Sequence, residues 1–261
     1  MTRAVVQIYE VQTPVEAEAL MELGVDHIGS VLMSPEFHQP DSLLETISLV
    51  SRNGRKSCMI PLFLETERIS RALERYGPDI VHFCEVLSGG NGNNSNRDAA
   101  FLRQRTIRER FPEIRIMRSI PIGQIDRSHR VPTLDIARLF EPISDFFLTD
   151  TLVINDSKNL DGDQPVNGFV GITGKTCDWD IAAKLVNASR IPVILAGGIS
   201  PENVAEGIRR VQPAGIDSCT LTNAVDEKGR AIRFRKDPEK VRRLVAEVRR
   251  AEHNNYTEME A

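Results

Sequence analysis

The chain has 261 residues, with 33 Lys and Arg against 37 Asp and Glu and a hydrophobic fraction of 41%. This length and apolar content are enough for a sizeable core, so neither a disordered chain nor a disulfide-dependent fold is indicated. The slightly acidic balance, with basic clusters interleaved with acids, argues against nucleic acid as a partner.

Short β-branched runs alternate with amphipathic stretches along the chain, which is typical of repeated βα units. The first helix is delimited by Thr13 as N-cap, Pro14 at its first position, Glu16 in the first turn and Gly24 as the stop. The predicted strands cover residues 5–8, 26–32, 58–63, 80–84, 114–120, 145–149, 192–196 and 215–219.

The later helices follow the same alternation. They are predicted over residues 41–50, 67–76, 98–111, 133–140 and 178–186, and the last two are predicted to start at Ser200-Pro201 and Asp237-Pro238. Eight strands and eight helices in about 250 residues predict a single-domain (β/α)₈ TIM barrel over residues 1–250. A doubly wound sheet is disfavoured because no GxGxxG follows the first strand. The polar segment 88–96 is expected to be a flexible loop, and 251–261 a polar tail that frays.

The location of the protein is expected to be cytoplasmic. The first residues lack the apolar core of a signal peptide, and no stretch approaches 18 apolar residues, so no membrane contact is expected. Cys58, Cys84, Cys177 and Cys219 form no CxxC pair, which favours reduced thiols over a zinc site or a disulfide framework. A monomer and a homodimer both remain open.

Function in such a barrel lies at the C-terminal ends of the strands, and the loops after strands seven and eight commonly bind phosphate. Gly197 and Gly198 end strand seven, where main-chain amides without a Cβ in the way can approach an anion; a tight turn that needs positive φ is the alternative. The run Gly171 to Thr176 resembles a P-loop, but Phe169 stands where its first glycine is required. A substrate-contacting loop after strand six is therefore the preferred interpretation.

Four segments carry a specific resemblance. Residues 147–151 (FLTDT), 172–179 (ITGKTCDW), 195–204 (LAGGISPENV) and 18–29 (EALMELGVDHIG) resemble the phosphoribosylanthranilate isomerase family. The resemblance implies a (β/α)₈ barrel of tryptophan biosynthesis that performs an Amadori rearrangement of a phosphoribosylated amine, without metal or organic cofactor. It also implies that Asp150 is the general acid that opens the sugar ring; a strand-end Asp that caps the next turn is the alternative.

The general base is where the chain departs from the family. The family carries a Cys in a Lys-Ile-Cys-Gly run at the end of strand one, and here the run reads Gln7-Ile8-Tyr9-Glu10. Tyr9 would need a lowered pKa to act as a base, since its ordinary pKa is about 10, and a ring packed in the barrel mouth is the alternative. Glu10 could replace the thiol only if the strand end bends, because successive side chains point to opposite faces.

Further departures surround the expected substrate. The segment with Glu36 has no Lys or Arg to balance a carboxylate, Cys84 stands where the family has His, and the turn after strand eight is altered. The expected phosphate contacts are Gly197, Gly198, Ser218 and Thr220, and the expected substrate contacts are Lys175, Asp178, Cys84 and Glu36. Glu10, Glu36 and Glu85 could hold a divalent cation, but solvated charges are the default and no metal or cofactor is expected.

The leading hypothesis is therefore an isomerase-like barrel that binds a phosphorylated sugar, with Asp150 as the acid and Tyr9 or Glu10 as candidate bases. Two alternatives remain open. The barrel could act on a different phosphosugar, or it could bind a phosphorylated ligand without catalysis.

Overall fold

The computed structural model describes residues 3–33, 41–87, 95–154 and 166–259. Most of the expected flexible loop at 88–96 lies outside these residues. Eight strands form the barrel: β1 Val5–Ile8, β2 His27–Leu32, β3 Lys56–Pro61, β4 Ile80–Phe83, β5 Arg115–Gly123, β6 Phe146–Leu152, β7 Val193–Leu195 and β8 Gly215–Ser218.

Eight α-helices alternate with these strands. They are α1 Pro14–Glu22, α2 Ser42–Arg52, α3 Thr66–Tyr76, α4 Ser95–Arg110, α5 Thr133–Phe140, α6 Trp179–Ala188, α7 Val204–Val211 and α8 Pro238–Met259. Among the described residues, no helix is long and apolar enough to cross a lipid bilayer.

The strands pair in sequence order as a closed, parallel barrel. Closure is made by β1 and β8, whose partners run from Val5 opposite Gly215 to Ile8 opposite Ser218. The prediction of a (β/α)₈ barrel is thus confirmed. Because all eight strands run in the same direction, their C-terminal ends meet at one rim, and side chains from distant parts of the sequence converge there.

Local capping explains why several helices begin and end where they do. The Thr13 hydroxyl accepts the Glu16 amide at 3.3 Å at the start of α1, and the Asp178 carboxylate accepts the Asp180 amide at 2.9 Å at the start of α6. These bonds satisfy amides that the first turn of a helix leaves without partners. Gly77 ends α3 in the left-handed conformation, with φ of 52°.

The last third of the chain differs from the expectation in three places. Helix α7 begins at Val204 rather than at Ser200-Pro201, because the Ser200 carbonyl first closes a turn with the amides of Asn203 and Val204. Helix α8 continues through Met259, into the segment predicted as a polar tail. An antiparallel hairpin of β9 Asn223–Val225 and β10 Ala231–Lys236 lies between β8 and α8.

A charged group lies buried between the barrel and its outer helices. Arg118 on β5 is fully buried; its guanidinium donates to Glu85 at 2.7 Å and to Gln104 at 2.7 Å. Arg103 of α4 binds the same Glu85 carboxylate at 2.8 Å. Burial alone would raise the pKa of Glu85, but the two guanidinium groups hold it below its usual value. Glu85 is therefore an internal counterion at the end of β4, and the solvated strand-end charge expected from the sequence is not observed.

Candidate active site

A cavity with about 770 Å³ of empty space, open solvent included, lies at the C-terminal rim of the barrel. Its polar floor contains side chains from β1, β4, β6 and β8, and its wall is formed largely by apolar residues of β2, β3 and the loop after β6. Eight of the residues predicted for the site line it: Tyr9, Glu10, Cys84, Asp150, Gly197, Gly198, Ser218 and Thr220.

Asp150 projects from β6 into this cavity. The Ser119 hydroxyl of β5 donates to its Oδ2 at 3.0 Å, and burial raises the pKa of this carboxyl to about 7. The main chain at Gly171 crosses directly over it, since a Cβ on that glycine would lie 2.9 Å from both carboxyl oxygens. At neutral pH, Asp150 therefore holds its proton in a substantial fraction of molecules, as a general acid requires.

A chain of hydrogen bonds runs from β1 to Asp150 across the barrel. The Tyr9 hydroxyl lies 2.8 Å from Nδ1 of His82, and Nε2 of His82 lies 2.8 Å from the Ser119 hydroxyl. Because Ser119 donates its proton to Asp150, it accepts from Nε2 of His82, and Nδ1 then accepts from Tyr9. Burial, together with the charge of Arg118, lowers the pKa of His82 to about 3, so the ring stays neutral.

The surroundings of Tyr9 do not suit a base. Its side chain is 3% exposed, and burial raises its pKa well above the ordinary value, with a smaller contribution from Asp217. Its ring also packs against Gly29, where a Cβ would lie 2.1 Å from a ring carbon. Tyr9 thus packs in the barrel mouth beside β2, which is the alternative to a catalytic base that the sequence analysis gave.

Glu10 is held in an ion pair. Its backbone has a φ of 65°, which provides the bend that the sequence analysis required, but the carboxylate binds the Arg233 guanidinium at 2.7 Å. Arg233 belongs to β10, and the amide of Lys236 on the same strand donates to Glu16 at 2.7 Å. The hairpin of β9 and β10 therefore binds the chain that follows β1, and Glu10 makes the ion pair of this contact.

The glycine turn after β7 packs against the loop that precedes α6. Gly197 and Gly198 have φ of 88° and 62°. A Cβ on Gly198 would lie 2.6 Å from the Thr176 amide nitrogen, and one on Gly197 would lie 2.3 Å from the Thr151 hydroxyl. The Asn203 side chain donates to the Gly198 carbonyl at 2.8 Å. Only glycine fits at these two positions.

The hydroxyls after β8 have different surroundings. Ser218 is buried and donates to the Ile199 carbonyl at 2.6 Å. Thr220 lines the cavity, and its buried hydroxyl has no hydrogen-bond partner among the described residues. An unpartnered buried hydroxyl is uncommon in folded proteins and indicates a position where a ligand could accept or donate.

Two of the predicted substrate contacts, Asp178 and Lys175, do not line this cavity. Asp178 is buried outside the cavity, where it caps α6 and accepts the Ser128 hydroxyl at 2.6 Å. Lys175 is exposed on the loop before α6. Glu36 lies outside the described residues, so its position stays a prediction. Cys84 lines the cavity, but burial raises the pKa of its thiol well above the ordinary value.

The cavity also contains three ionisable residues that sequence reasoning did not select: His82, Cys219 and Asp217. Asp217 is the last residue but one of β8, is 7% exposed, and accepts a hydrogen bond from Gln7 of β1 at 3.2 Å. Its position in the altered turn after β8 was the only available signal. Within the described part of the chain, no group of three or more His, Cys, Asp and Glu residues is arranged to hold a metal ion.

A comparison with family models matches residues 116–247 to N-(5'-phosphoribosyl)anthranilate (PRA) isomerase. The match covers nearly all of β5, then β6 to β8 and the first part of α8, and thus includes Asp150 and the Gly197-Gly198 turn.

The chain belongs to the N-(5'-phosphoribosyl)anthranilate isomerase family.

Full-length relatives of this isomerase family extend the likeness to nearly the whole chain. The isomerase of Methanothrix thermoacetophila is 29% identical over 250 residues, covering 95% of this chain and 99% of its own length. That of Methanosarcina acetivorans is 26% identical over 248 residues, covering 94% and 92%. Tyr9 and Glu10 lie outside the segment that the family model matches.

Solved structures of phosphoribosylanthranilate isomerases share the barrel. The enzyme from Thermotoga maritima superposes with a TM-score of 0.65 at 19% identity, covering 94% of this chain and 98% of its own. Another, with a TM-score of 0.64 at 17% identity and the same two coverages, is a complex with reduced 1-(o-carboxyphenylamino)-1-deoxyribulose 5-phosphate. At these identities the structures show a common fold.

Proposed function

We propose that the cavity binds a phosphorylated sugar and that the protein isomerises a phosphoribosylated aromatic amine, with Asp150 as the general acid. One observation carries the proposal: a half-buried carboxyl of β6, with its pKa raised to about 7, lines the same cavity as the Gly197-Gly198 turn. Membership of the family supports the same reaction class. The cytoplasmic location, the choice between monomer and homodimer and the absence of nucleic-acid binding stay predictions.

The phosphate is proposed to bind between the ends of β7 and β8. Gly197, Gly198 and Thr220 line the cavity, and the Thr220 hydroxyl has no hydrogen-bond partner among the described residues. Ser218 supports the turn through its bond to the Ile199 carbonyl. Main-chain amides and hydroxyls are common phosphate ligands at this corner of (β/α)₈ barrels.

The proposed chemistry needs one proton from Asp150. As the C1–O4 bond of the furanose breaks, its electron pair goes to O4, which takes the Asp150 proton. The amine nitrogen then forms a double bond to C1, giving a Schiff base. Removal of the C2 proton and reprotonation at C1 complete the isomerisation without any oxidant or reductant. The Ser119 hydroxyl stabilises the carboxylate that Asp150 becomes, because it donates to Oδ2.

Substitution of Gly198 by alanine is expected to weaken phosphate binding. The new Cβ would lie 2.6 Å from the Thr176 amide nitrogen, so the turn must move. We expect the affinity for inorganic phosphate to fall about tenfold or more, since one displaced hydrogen bond costs about 1–2 kcal/mol. Binding is measured by calorimetry, with stability followed by thermal unfolding.

Gly54→Ala is the matched control for this substitution. Gly54 also has a positive φ, of 70°, but a Cβ there meets nothing within 4 Å. It lies before β3, at the opposite end of the barrel. This control is expected to lose about 1 kcal/mol of stability from backbone strain alone and to keep its phosphate affinity. Equal affinity in both variants would argue against the proposed phosphate seat.

The rate of isomerisation is expected to fall as the pH rises above 7. Asp150 acts as an acid only while protonated, and its pKa is about 7. The expected profile of kcat/KM therefore declines tenfold per pH unit above this ionisation. Steady-state measurements of kcat/KM from about pH 5 to about pH 9, which spans the Asp150 ionisation, test this expectation. An alkaline decline that begins only near pH 9 would identify a different acid.

One observation favours a second candidate substrate. The described part of the cavity lining contains no Lys or Arg, whereas Glu10, Asp150 and Asp217 all lie there. A carboxylate on the aromatic amine would therefore meet no compensating cation among these residues. The second candidate is a phosphoribosylated amine that lacks this carboxylate.

A pair of substrates tests both candidates. The wild-type protein is assayed with N-(5'-phosphoribosyl)anthranilate and with N-(5'-phosphoribosyl)aniline, which differ only in the carboxylate. Turnover of the first supports the leading proposal, and a clear preference for the second supports the alternative. Binding of either compound without turnover would identify a non-catalytic phosphate-ligand-binding protein.

A further inference from the structure

We propose that Asp217 is the general base of this barrel, taking the proton from C2 of the Schiff base. The assignment rests on the proposed isomerisation. It places the second proton-transfer group on β8, which is separated from Asp150 on β6 by the intervening strand β7.

The strand register brings the two carboxyls to the same level of the barrel. Leu148 of β6 lies opposite Ile194 of β7, and Ile194 lies opposite Gly215 of β8. Continuing these pairings by two residues aligns Asp150 with Asp217, and both line the cavity. Neighbouring strands lie about 4.8 Å apart, so the two backbones are separated by about 10 Å. In the proposed complex, the sugar lies between these two side chains.

The surroundings of Asp217 leave it available for proton transfer. Its Oδ1 accepts the Gln7 side chain at 3.2 Å, and no donor to Oδ2 is found among the described residues. No salt bridge to Asp217 occurs in the same part of the chain, in contrast to Glu10. A neutral amide holds the carboxyl in place without removing its basicity.

Charged and ionisable groups from several elements face Asp217. The pKa of Asp217 is raised to about 7: burial is the largest cause, the charge of Asp150 adds to it, and the Gln7 hydrogen bond and the charge of Lys236 on β10 oppose it. The charge of Asp217 in turn contributes to raising the pKa of Tyr9, Cys58 and Cys219. Tyr9 occupies the place of the family's catalytic thiol, so Asp217 lies beside the position that a base must occupy.

The other cavity groups are less suited to this step. Tyr9 donates its proton to His82, both His82 nitrogens are hydrogen-bonded, and Glu10 is neutralised by Arg233. Burial raises the pKa of the Cys84 and Cys219 thiols above their ordinary values. Asp217 is thus the carboxylate that remains once Asp150 has been assigned as the acid.

The proposed step balances without any co-reactant. The C2–H bond breaks, its proton goes to the Asp217 carboxylate, and its electron pair forms the C1=C2 bond. The former C1=N electrons return to the amine nitrogen. The resulting enol takes a proton at C1 and loses one from the C2 hydroxyl, which gives the ketone.

The test compares three substitutions in the full-length protein. Asp217→Asn keeps the shape and the Gln7 contact, Asp217→Glu keeps a carboxylate, and Asp145→Asn removes a carboxyl at the opposite end of β6, where it accepts the Ile116 amide. Each is assayed for kcat/KM from acid to alkaline pH. Binding of reduced 1-(o-carboxyphenylamino)-1-deoxyribulose 5-phosphate, the ligand of a related structure, is measured by calorimetry.

We expect Asp217→Asn to lower kcat about 10²–10⁴-fold, to leave the affinity for the analogue within about threefold, and to abolish the acidic limb of the pH profile. That limb reflects the need for an ionised base. Asp217→Glu should keep the acidic limb of the pH profile and part of the activity. If Asp217→Asn does not fold, Asp217→Glu still tests the assignment. Asp145→Asn should behave as the wild type.

A purely structural role for Asp217 would leave the acidic limb in place. If the wild-type protein turns over and Asp217→Asn keeps kcat within about tenfold, the assignment of the base is overturned while the proposed function stands. If the wild-type protein turns over neither substrate, the proposed function and this assignment both fail.

Discussion

Replacement of Asp150 by asparagine is expected to lower kcat/KM about 10²–10⁴-fold. Asparagine has nearly the same shape, and its side chain can still accept the Ser119 hydroxyl that lies 3.0 Å from Oδ2. It has no acidic proton to give to the ring oxygen, so ring opening loses its catalyst. Steady-state kinetics with whichever phosphoribosylated amine the wild-type protein turns over measures the loss.

Two controls separate this chemical effect from a structural one. Affinity for the reduced product analogue should change little in Asp150→Asn, because the proposed phosphate seat lies on β7 and β8. Stability should be retained, since the wild-type carboxyl, with its pKa of about 7, is already partly neutral at neutral pH. If Asp150→Asn keeps kcat/KM within about threefold of the wild type, the loss is too small for a missing general acid. Asp150 would then not be the general acid.

Replacement of Arg118 by methionine is expected to give the largest loss of stability, about 3–5 kcal/mol. Arg118 is fully buried, and its guanidinium lies 4.6 Å from the Phe140 ring centre and 5.2 Å from that of Phe83. Methionine could occupy the apolar part of this space. It would leave the Glu85 carboxylate with Arg103 as its remaining cation.

Denaturant unfolding measures this effect, and Arg138→Met is the control. Arg138 pairs with Asp135 at 3.0 Å, but both side chains are about 70% exposed, so its loss should cost less than about 1 kcal/mol. If the two variants lose the same stability, the buried ion pair contributes no more than a surface pair. The pKa of His82 should also rise in Arg118→Met, because Arg118 helps to lower it.

Much of the fold could be predicted from the sequence because the signals are local. The Thr13 cap, the Asp178 cap and the alternation of strand and helix each depend on residues within a few positions. The hairpin of β9 and β10 was missed because it is stabilised by distant partners, Glu10 and Glu16. The start of α7 was misplaced because Ser200 closes a turn before the helix begins.

The site could be predicted only in part for the same reason. Asp150 and the Gly197-Gly198 turn lie in segments that resemble a family, and both line the cavity. The substitution at position 7 was visible in the sequence, but its partner Asp217 is 210 residues away and becomes apparent only when β1 pairs with β8. The role of Glu85 as counterion to Arg118 likewise requires the packed structure.

The contact between Tyr9 and Gly29 limits the order in which this barrel could have changed its sequence. A Cβ at position 29 would overlap the aromatic ring at 2.1 Å. A tyrosine on the first strand can therefore be accepted only in an ancestor whose second strand already had glycine there. As long as the aromatic side chain persists, every mutation of that glycine is penalised, and the two positions can diversify only together.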